Sequence, residues 1–385
     1  VIRLSEDHQL VSRLTEQAKI KLHKNFTLDQ MASSTLKVYE EVRSSMNILV
    51  IKLTSIGDVV LVTASLKAIR EKFPHARIHC LVGWESRKIL HNCPYLSGII
   101  VYDRRGKDKG WLKFLKLSKK LRKHRFDLVI DFQNNRKSHL LSFLSLARES
   151  YGYNNKKWGG LLSNPIIDSK KNLPPVEHQF QILKQLGIHH RANTYLKLWP
   201  SVSDREYVQK LLDSEWLGNK SRIVGINMAA SEKWQTKNWP IEHIAKVCDE
   251  LAHRDIRVII TGLEKDKPTA RHLLSVTKSK PTNFVGKTDI LQLAVLIKKC
   301  KAFITPDSAP LHVAAAMRTP VIALFGPTSS VRHIPPAQKI VIFEKNLACA
   351  PCYSTRCHIL THACMRDIKP ESVISEVECL MKERV

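Results

Sequence analysis

The sequence predicts an α/β fold of two doubly wound parallel sheets that face each other across a cleft. Three observations carry this expectation. Strand–turn–helix units begin near Met46, and the same alternation restarts near Arg222. The strands at its centre are short, nearly continuous apolar runs, the pattern of a parallel strand covered on both faces. With 385 residues, 43% of them hydrophobic, the chain is longer than one core usually serves.

Residues 1–45 are polar and helical in pattern, with a helix start at Thr27-Leu28-Asp29-Gln30 and a charge-rich close from Glu40 to Ser45. Asn47 to Lys52 then reads as a buried strand. The tight turn through Gly57 and Asp58 feeds a helix from about Val59 to Phe73. Strands follow at 77–82 and 98–102, a basic amphipathic helix at 111–124, a buried strand at 126–131 and a helix at 137–147. Segment 168–178 reads as loop, and a helix near 178–186 leads to a variable stretch. The second alternation has strands at 222–227, 257–262, 302–305 and 321–325. Its helices fall at 240–253, opened by proline, at 289–299 and at 310–317. The expected units are 1–45, 46–205, 206–345 and a cysteine-rich end at 346–385, with a hinge near 195–220. Ligands of such sheets bind at the carboxyl ends of the strands, so the cleft is the expected site.

No apolar run reaches the roughly 18–20 residues that a membrane span needs. Net charge is +27, which points to an anionic partner. From Arg104 to Arg125 there are eleven Lys or Arg residues against one acid, Asp108. This basic helix either lies on an acidic membrane or packs its apolar side on the sheet. Nucleic acid is not an expected partner, because aromatics do not interleave with the basic residues on a strand surface. The cysteines suit a reducing compartment better than a disulfide scaffold.

Five motifs carry chemistry, each with a plainer alternative. Asp58, at the start of a helix, either caps it or takes a proton as general base. Thr305-Pro-Asp307-Ser308-Ala309-Pro-Leu-His312 either caps its helix or offers free amides to phosphate. Lys237, just before a helix, either meets a diphosphate or is a solvated loop lysine. The basic helix has been described. Cys349, Cys352, Cys357 and Cys364 either hold a structural zinc ion or are reduced thiols in a compact loop.

In order, Lys52-x5-Asp58, Asp127-Leu-Val-Ile-Asp-x-Gln133, Lys237-x-Trp-Pro240, Thr305-x-Asp307-Ser-x-Pro-x-His312, Phe325-Gly-Pro-Thr328 and Cys349 through Cys364-Met-Arg-Asp367 resemble the heptosyltransferase family of inverting glycosyltransferases. The resemblance covers about residues 46–380. It implies a GT-B fold of two Rossmann-like domains, an acceptor side at 46–205 and a nucleotide-sugar side at 206–345. It implies transfer of heptose from a nucleotide donor, expected to be ADP-heptose, to the lipopolysaccharide inner core. Asp58 matches the general base. Lys237 matches the contact to donor phosphates, and Thr305, Asp307, Ser308, Ala309 and His312 match the donor loop. Glu264, with Asp266 as the alternative, matches an acid on the donor ribose. Arg104, Arg105, Lys107, Gln133 and Arg136 match the side that meets an acidic acceptor. No catalytic metal or further cofactor is implied, and the expected place of action is the cytoplasmic face of the inner membrane. Met228-Ala-Ala-Ser231 and Ala309 depart from the family's Pro-Gly-Ala-Ser and from its glycine in the donor loop. Rival expectations are another nucleotide sugar on a lipid or glycan and, remotely, a basic nucleic-acid-binding module. Residues 1–45 resemble the carboxyl-terminal helices of a family 4 glycosyltransferase, which implies a fusion to an upstream transferase.

Overall fold

The computed structural model describes residues 7–44, 46–168, 172–218 and 222–382. Residues 1–6 and 45 of the first expected unit, part of the 168–178 loop, and residues 219–220 of the expected hinge lie outside the described residues. The chain opens with α1 (His8–Asn25) and α2 (Leu28–Ser44). The first half continues with β1 (Asn47–Lys52), α3 (Ile56–Lys72), β2 (Arg77–Gly83), β3 (Gly98–Tyr102), α4 (Trp111–Lys123) and β4 (Leu128–Asp131). It ends with α5 (Arg136–Leu144), β5 (Glu149–Asn154), β6 (Asn164–Ile167) and α6 (Pro175–Lys184). The second half holds α7 (Val202–Asp213), β7 (Ile223–Asn227), α8 (Ile241–Ala252), β8 (Arg257–Thr261), α9 (Lys267–Val276), β9 (Thr282–Asn283) and α10 (Ile290–Lys299). After these come β10 (Ala302–Pro306), α11 (Ala309–Ala316), β11 (Val321–Phe325), α12 (Ser330–His333), β12 (Ile340–Glu344), α13 (Ala363–Arg366) and α14 (Pro370–Lys382).

The strands form two parallel sheets, ordered β3-β2-β1-β4-β5-β6 and β9-β8-β7-β10-β11-β12. Counted within each half, the two orders are the same. The chain reverses direction across each sheet between its first and fourth strands, β1 beside β4 and β7 beside β10. That reversal leaves a crevice at the carboxyl ends of those strands. Ile48 to Ile51 of β1 are fully buried, as a central strand covered on both faces requires.

Two helices join the halves. Val59 to Leu66 in α3 and Leu311 to Ala316 in α11 are buried on all sides. A helix that is apolar all round must be covered all round. Here each lies on its own sheet and against the other, so one continuous core runs from Ile48 and Val59 to Phe303 and Val313. Lys88 also reaches Asp289 across the halves at 2.8 Å.

Several elements differ from expectation. The boundary placed at 205/206 falls inside α7, whose Val208 and Leu212 are buried. α14 buries Val373, Ile374, Val377 and Leu380 in the core that holds Trp239 and Ile244, so the chain's end belongs to the second half. α5 stops at Leu144, and Leu146 turns to a left-handed φ of 57°. Among the described residues no helix is long and apolar enough to cross a membrane.

Candidate active site

The crevice of the first half is built by the β1–α3 corner. β1 delivers Lys52 at its end, and Ser55 begins α3. Asp58, in the first turn, accepts the Ser55 amide at 2.9 Å and the Ser55 hydroxyl at 3.4 Å, with the Lys52 ammonium at 3.6 Å. All three contacts fall on Oδ2, and the side chain is 45% exposed. Capping and proton transfer therefore do not compete, since the cap uses one carboxylate oxygen. Burial in the cleft pushes the Asp58 pKa up, but Lys52, the Ser55 amide, His312 and His333 outweigh it and hold it below the ordinary value.

Gln133 braces this corner. Its carbonyl oxygen accepts the amides of Leu53 at 2.8 Å and Thr54 at 2.9 Å, and its amide nitrogen donates to the Thr54 hydroxyl at 3.3 Å. The β4 end holds Gln133 in turn, because Asp131 Oδ1 accepts the Gln133 and Asn134 amides. Asp131 and His139 behind it are both fully buried, 2.9 Å apart. Gln133 thus lies beside the cleft and spends its carbonyl oxygen on the backbone of this corner.

The other cations expected on this side stand further out. Arg104, Arg105 and Lys107 are exposed on the loop after β3, which Asp103 closes by accepting the Gly106 and Lys107 amides. Arg105 reaches Glu85 at 3.5 Å, and Lys107 and Arg87 lie over the Trp84 ring. Arg136 opens α5, with its guanidinium 5.9 Å from the Trp158 ring.

The second crevice is built by the β10–α11 corner. Asp307 Oδ2 accepts the Lys237 ammonium and the Thr328 hydroxyl, each at 2.7 Å. Both ends of the ion pair are secluded, Asp307 at 5% and Lys237 at 13% exposed. Burial pushes the Asp307 pKa up, and Lys237 with His333 more than reverses this. Asn227 donates to the hydroxyls of Thr305 and Ser308, so Ser308 faces Asn227 and makes no cap bond to its own helix. At the start of α11, Pro310 has no N–H and Leu311 donates to the Ser308 carbonyl at 3.1 Å, so the amides left without a side-chain cap for phosphate are those of Ser308 and Ala309.

His312 is where the corners meet. It is buried, and a Cβ placed on Gly57 would come within 2.5 Å of its Cδ2. Burial lowers its pKa despite Asp307 and Asp58 nearby, which favours the neutral ring. His333 interacts with Asp307, Lys237 and Asp58, and burial lowers its pKa too. Sequence reasoning missed His333. Phe325-Gly-Pro-Thr328 marks the turn before it, but nothing in the spacing shows that α12 folds back between the corners.

Of the two acids considered for the ribose, Asp266 spends Oδ2 on the Leu263 amide at 2.7 Å. Glu264 lies along Gly286, whose φ of +76° and lack of a side chain leave room for it, and reaches Lys267 at 2.5 Å. The four clustered cysteines are free. Cys349 and Cys352 are exposed and Cys364 is buried, its pKa pushed up to about 11 by burial and by the other three thiols. Among the described residues no group of three or more His, Cys, Asp or Glu is placed to hold a metal ion, so the thiols do not form a ligand shell as they stand. The segment instead clamps the turn that carries Lys237. Thr236 donates to the Ser354 carbonyl at 2.7 Å, and His362 Nε2 donates to the Thr236 carbonyl at 2.6 Å.

Two Rossmann-like halves, joined by paired helices and presenting a half-exposed carboxylate on one corner and a secluded lysine–aspartate pair on the other, define the GT-B class of fold. Within that class, residues 114–362 match the model of glycosyltransferase family 9 (heptosyltransferase), and the chain belongs to that family. It is 26% identical over 349 residues to lipopolysaccharide heptosyltransferase 2 of Salmonella typhimurium, covering 88% of this chain and 99% of the relative. It is 30% identical over 308 residues to lipopolysaccharide heptosyltransferase 3 of Escherichia coli, covering 74% and 84%. Among solved structures, a family 9 glycosyl transferase from Veillonella parvula superposes with a TM-score of 0.81 at 23% identity, over 88% of this chain and 98% of that one. The E. coli ADP-heptose lps heptosyltransferase II superposes at 0.72 and 24%, over 87% and 98%.

Proposed function

We propose that this protein transfers a heptose from ADP-heptose to the inner core of lipopolysaccharide, with inversion at the anomeric carbon. The observation that carries the reading is the half-exposed Asp58 carboxylate, bonded through Oδ2 alone and set across the cleft from the Lys237–Asp307 pair and the α11 amides. Asp58 takes the proton of the acceptor hydroxyl as that oxygen attacks the sugar from the face opposite the diphosphate. The leaving diphosphate gains charge, and Lys237 with the amides around Ser308 and Ala309 stabilises it. Preorganised cationic donors stand where a divalent ion otherwise would, so transfer is expected to persist in a chelator. His312 and Thr305 shape the donor loop, and Glu264 receives the ribose. Arg104, Arg105, Lys107 and Arg136 receive the carboxylates and phosphates of the acceptor at the cytoplasmic face of the inner membrane. Gln133 holds the β1–α3 corner in place.

Product mass tests this. The protein is incubated with ADP-heptose and a Kdo-bearing lipid A acceptor, without added metal. A gain of one heptose, lost in Asp58→Ala, supports donor, acceptor class and base together. No transfer by folded protein, with ADP failing to compete where UDP or GDP succeeds, would assign a different donor. Helices α1 and α2 are exposed over residues 11–24 and 28–39, and we read them as the close of an upstream transferase in one reading frame. A stop codon or initiator immediately before Val1 in the parent gene would sink that part.

A further inference from the structure

The face of α4 turned away from the sheet is unexplained by folding. The helix buries Phe114, Leu117, Ser118 and Leu121. Its first turn and a half points three further apolar side chains outward: Trp111 at 61%, Leu112 at 81% and Leu115 at 40% exposed. One exposed leucine means nothing, but a tryptophan and two leucines within five residues form a patch. Trp111 is held from beneath, stacked on Phe114 with the rings 5.3 Å apart. Around the patch, Lys113, Lys116, Lys119, Lys120 and Lys123 are exposed, and none enters an ion pair among the described residues. A groove of about 590 Å³ runs between these lysines and Lys107. Its one acid, Asp108, accepts the Asp103 amide. α4 begins at the carboxyl end of the first sheet, the end that carries the cleft, directly after the loop of Arg104 and Arg105.

From this geometry we infer that α4 docks the protein on an anionic lipid bilayer. Trp111, Leu112 and Leu115 enter the headgroup boundary, and the surrounding lysines pair with lipid phosphates. Apolar residues ringed by unpaired cations match a surface that is apolar beneath and anionic above. A nucleic acid would use the cations and leave the patch in water. The inference rests on the proposed acceptor in one respect: a docked α4 brings the cleft to a substrate whose lipid anchor lies in that same surface.

Sedimentation of the full chain with vesicles tests it. The protein is expected to pellet with phosphatidylethanolamine–phosphatidylglycerol vesicles and not with phosphatidylcholine alone, with affinity falling as salt rises. The triple variant Lys113→Glu/Lys116→Glu/Lys120→Glu, which alters only exposed side chains, should weaken binding by about 100-fold or more. Trp111→Glu/Leu112→Glu should lose vesicle binding and transfer to a vesicle-embedded acceptor, while keeping transfer to the deacylated acceptor in solution. Equal binding of the parent to both vesicles, an unweakened Trp111→Glu/Leu112→Glu variant, or RNA binding without vesicle preference would overturn the inference. Vesicle binding is read without turnover. A parent that binds anionic vesicles as expected but glycosylates neither acceptor would refute the proposed reaction and support the docking surface.

Discussion

The two crevices share one topology and use it in opposite ways. Each lies where a sheet reverses, each places an aspartate at the turn into an apolar helix, and each has a lysine beside that aspartate. At the first, Lys52 stands 3.6 Å from a carboxylate that is 45% exposed. At the second, Lys237 is 2.7 Å from one that is 5% exposed and also holds Thr328. A carboxylate open to the cleft can still accept a proton, whereas one secluded in a short ion pair and bonded to a hydroxyl holds its lysine in place. Motif and spacing are therefore not enough to assign a role to an aspartate. What decides is how far the fold has left the carboxylate open: 45% exposed at Asp58 and 5% at Asp307.

The largest expected effects separate the corners directly. Asp58→Asn should lower kcat by roughly 10²–10⁴-fold, the scale of a lost general base. It should cost only up to about 1 kcal/mol in a denaturation curve, because the amide keeps an acceptor oxygen for the Ser55 amide and loses only the half-exposed pairing with Lys52. Asp307→Asn should do the reverse first, destabilising the fold by about 3–5 kcal/mol at neutral pH by leaving Lys237 secluded without its partner. The comparison breaks if the two variants lose stability alike. Folding lowers the Asp307 pKa, so its contribution is complete above the unfolded carboxylate range and is lost as pH falls through the folded value. The stability gap between parent and Asp307→Asn should then close in acid.

Lys237→Met should reduce kcat by roughly 10²-fold or more, as loss of a leaving-group donor does, and weaken ADP binding measured by calorimetry. Lys52→Met should move the acid limb of the kcat/KM profile to higher pH, because Lys52 is the foremost influence holding the Asp58 pKa down against burial. An unmoved limb would assign that limb to another group. The smallest effect is expected of Gln133→Leu, a several-fold fall in kcat with the KM for donor unchanged, since Gln133 braces the corner that carries Asp58.

Much of this was legible in the chain. β1, β4, β7, β10 and β11 announce themselves as apolar runs because both faces are covered. β5 does not, since Glu149-Ser-Tyr-Gly-Tyr-Asn154 mixes polar and aromatic residues and half its side chains reach the surface. α7 was hidden for a similar reason: of its residues only Val208 and Leu212 are buried, too few to set a helical period. Within the site, Asp58 and the Thr305–His312 turn were readable because a strand–turn–helix corner has a local signature. The Lys237–Asp307 pair and His333 were not, because they depend on which loops the sheet order brings together.

The contact between Gly57 and His312 has a consequence for inheritance. Position 57 has no room for a methyl group, and the limit is set by a side chain encoded far downstream. The upstream codon cannot enlarge while the histidine stands. In lineages where the downstream residue has shrunk to serine or alanine, the upstream position becomes free to enlarge, and the two should change together across the descendants of a common gene.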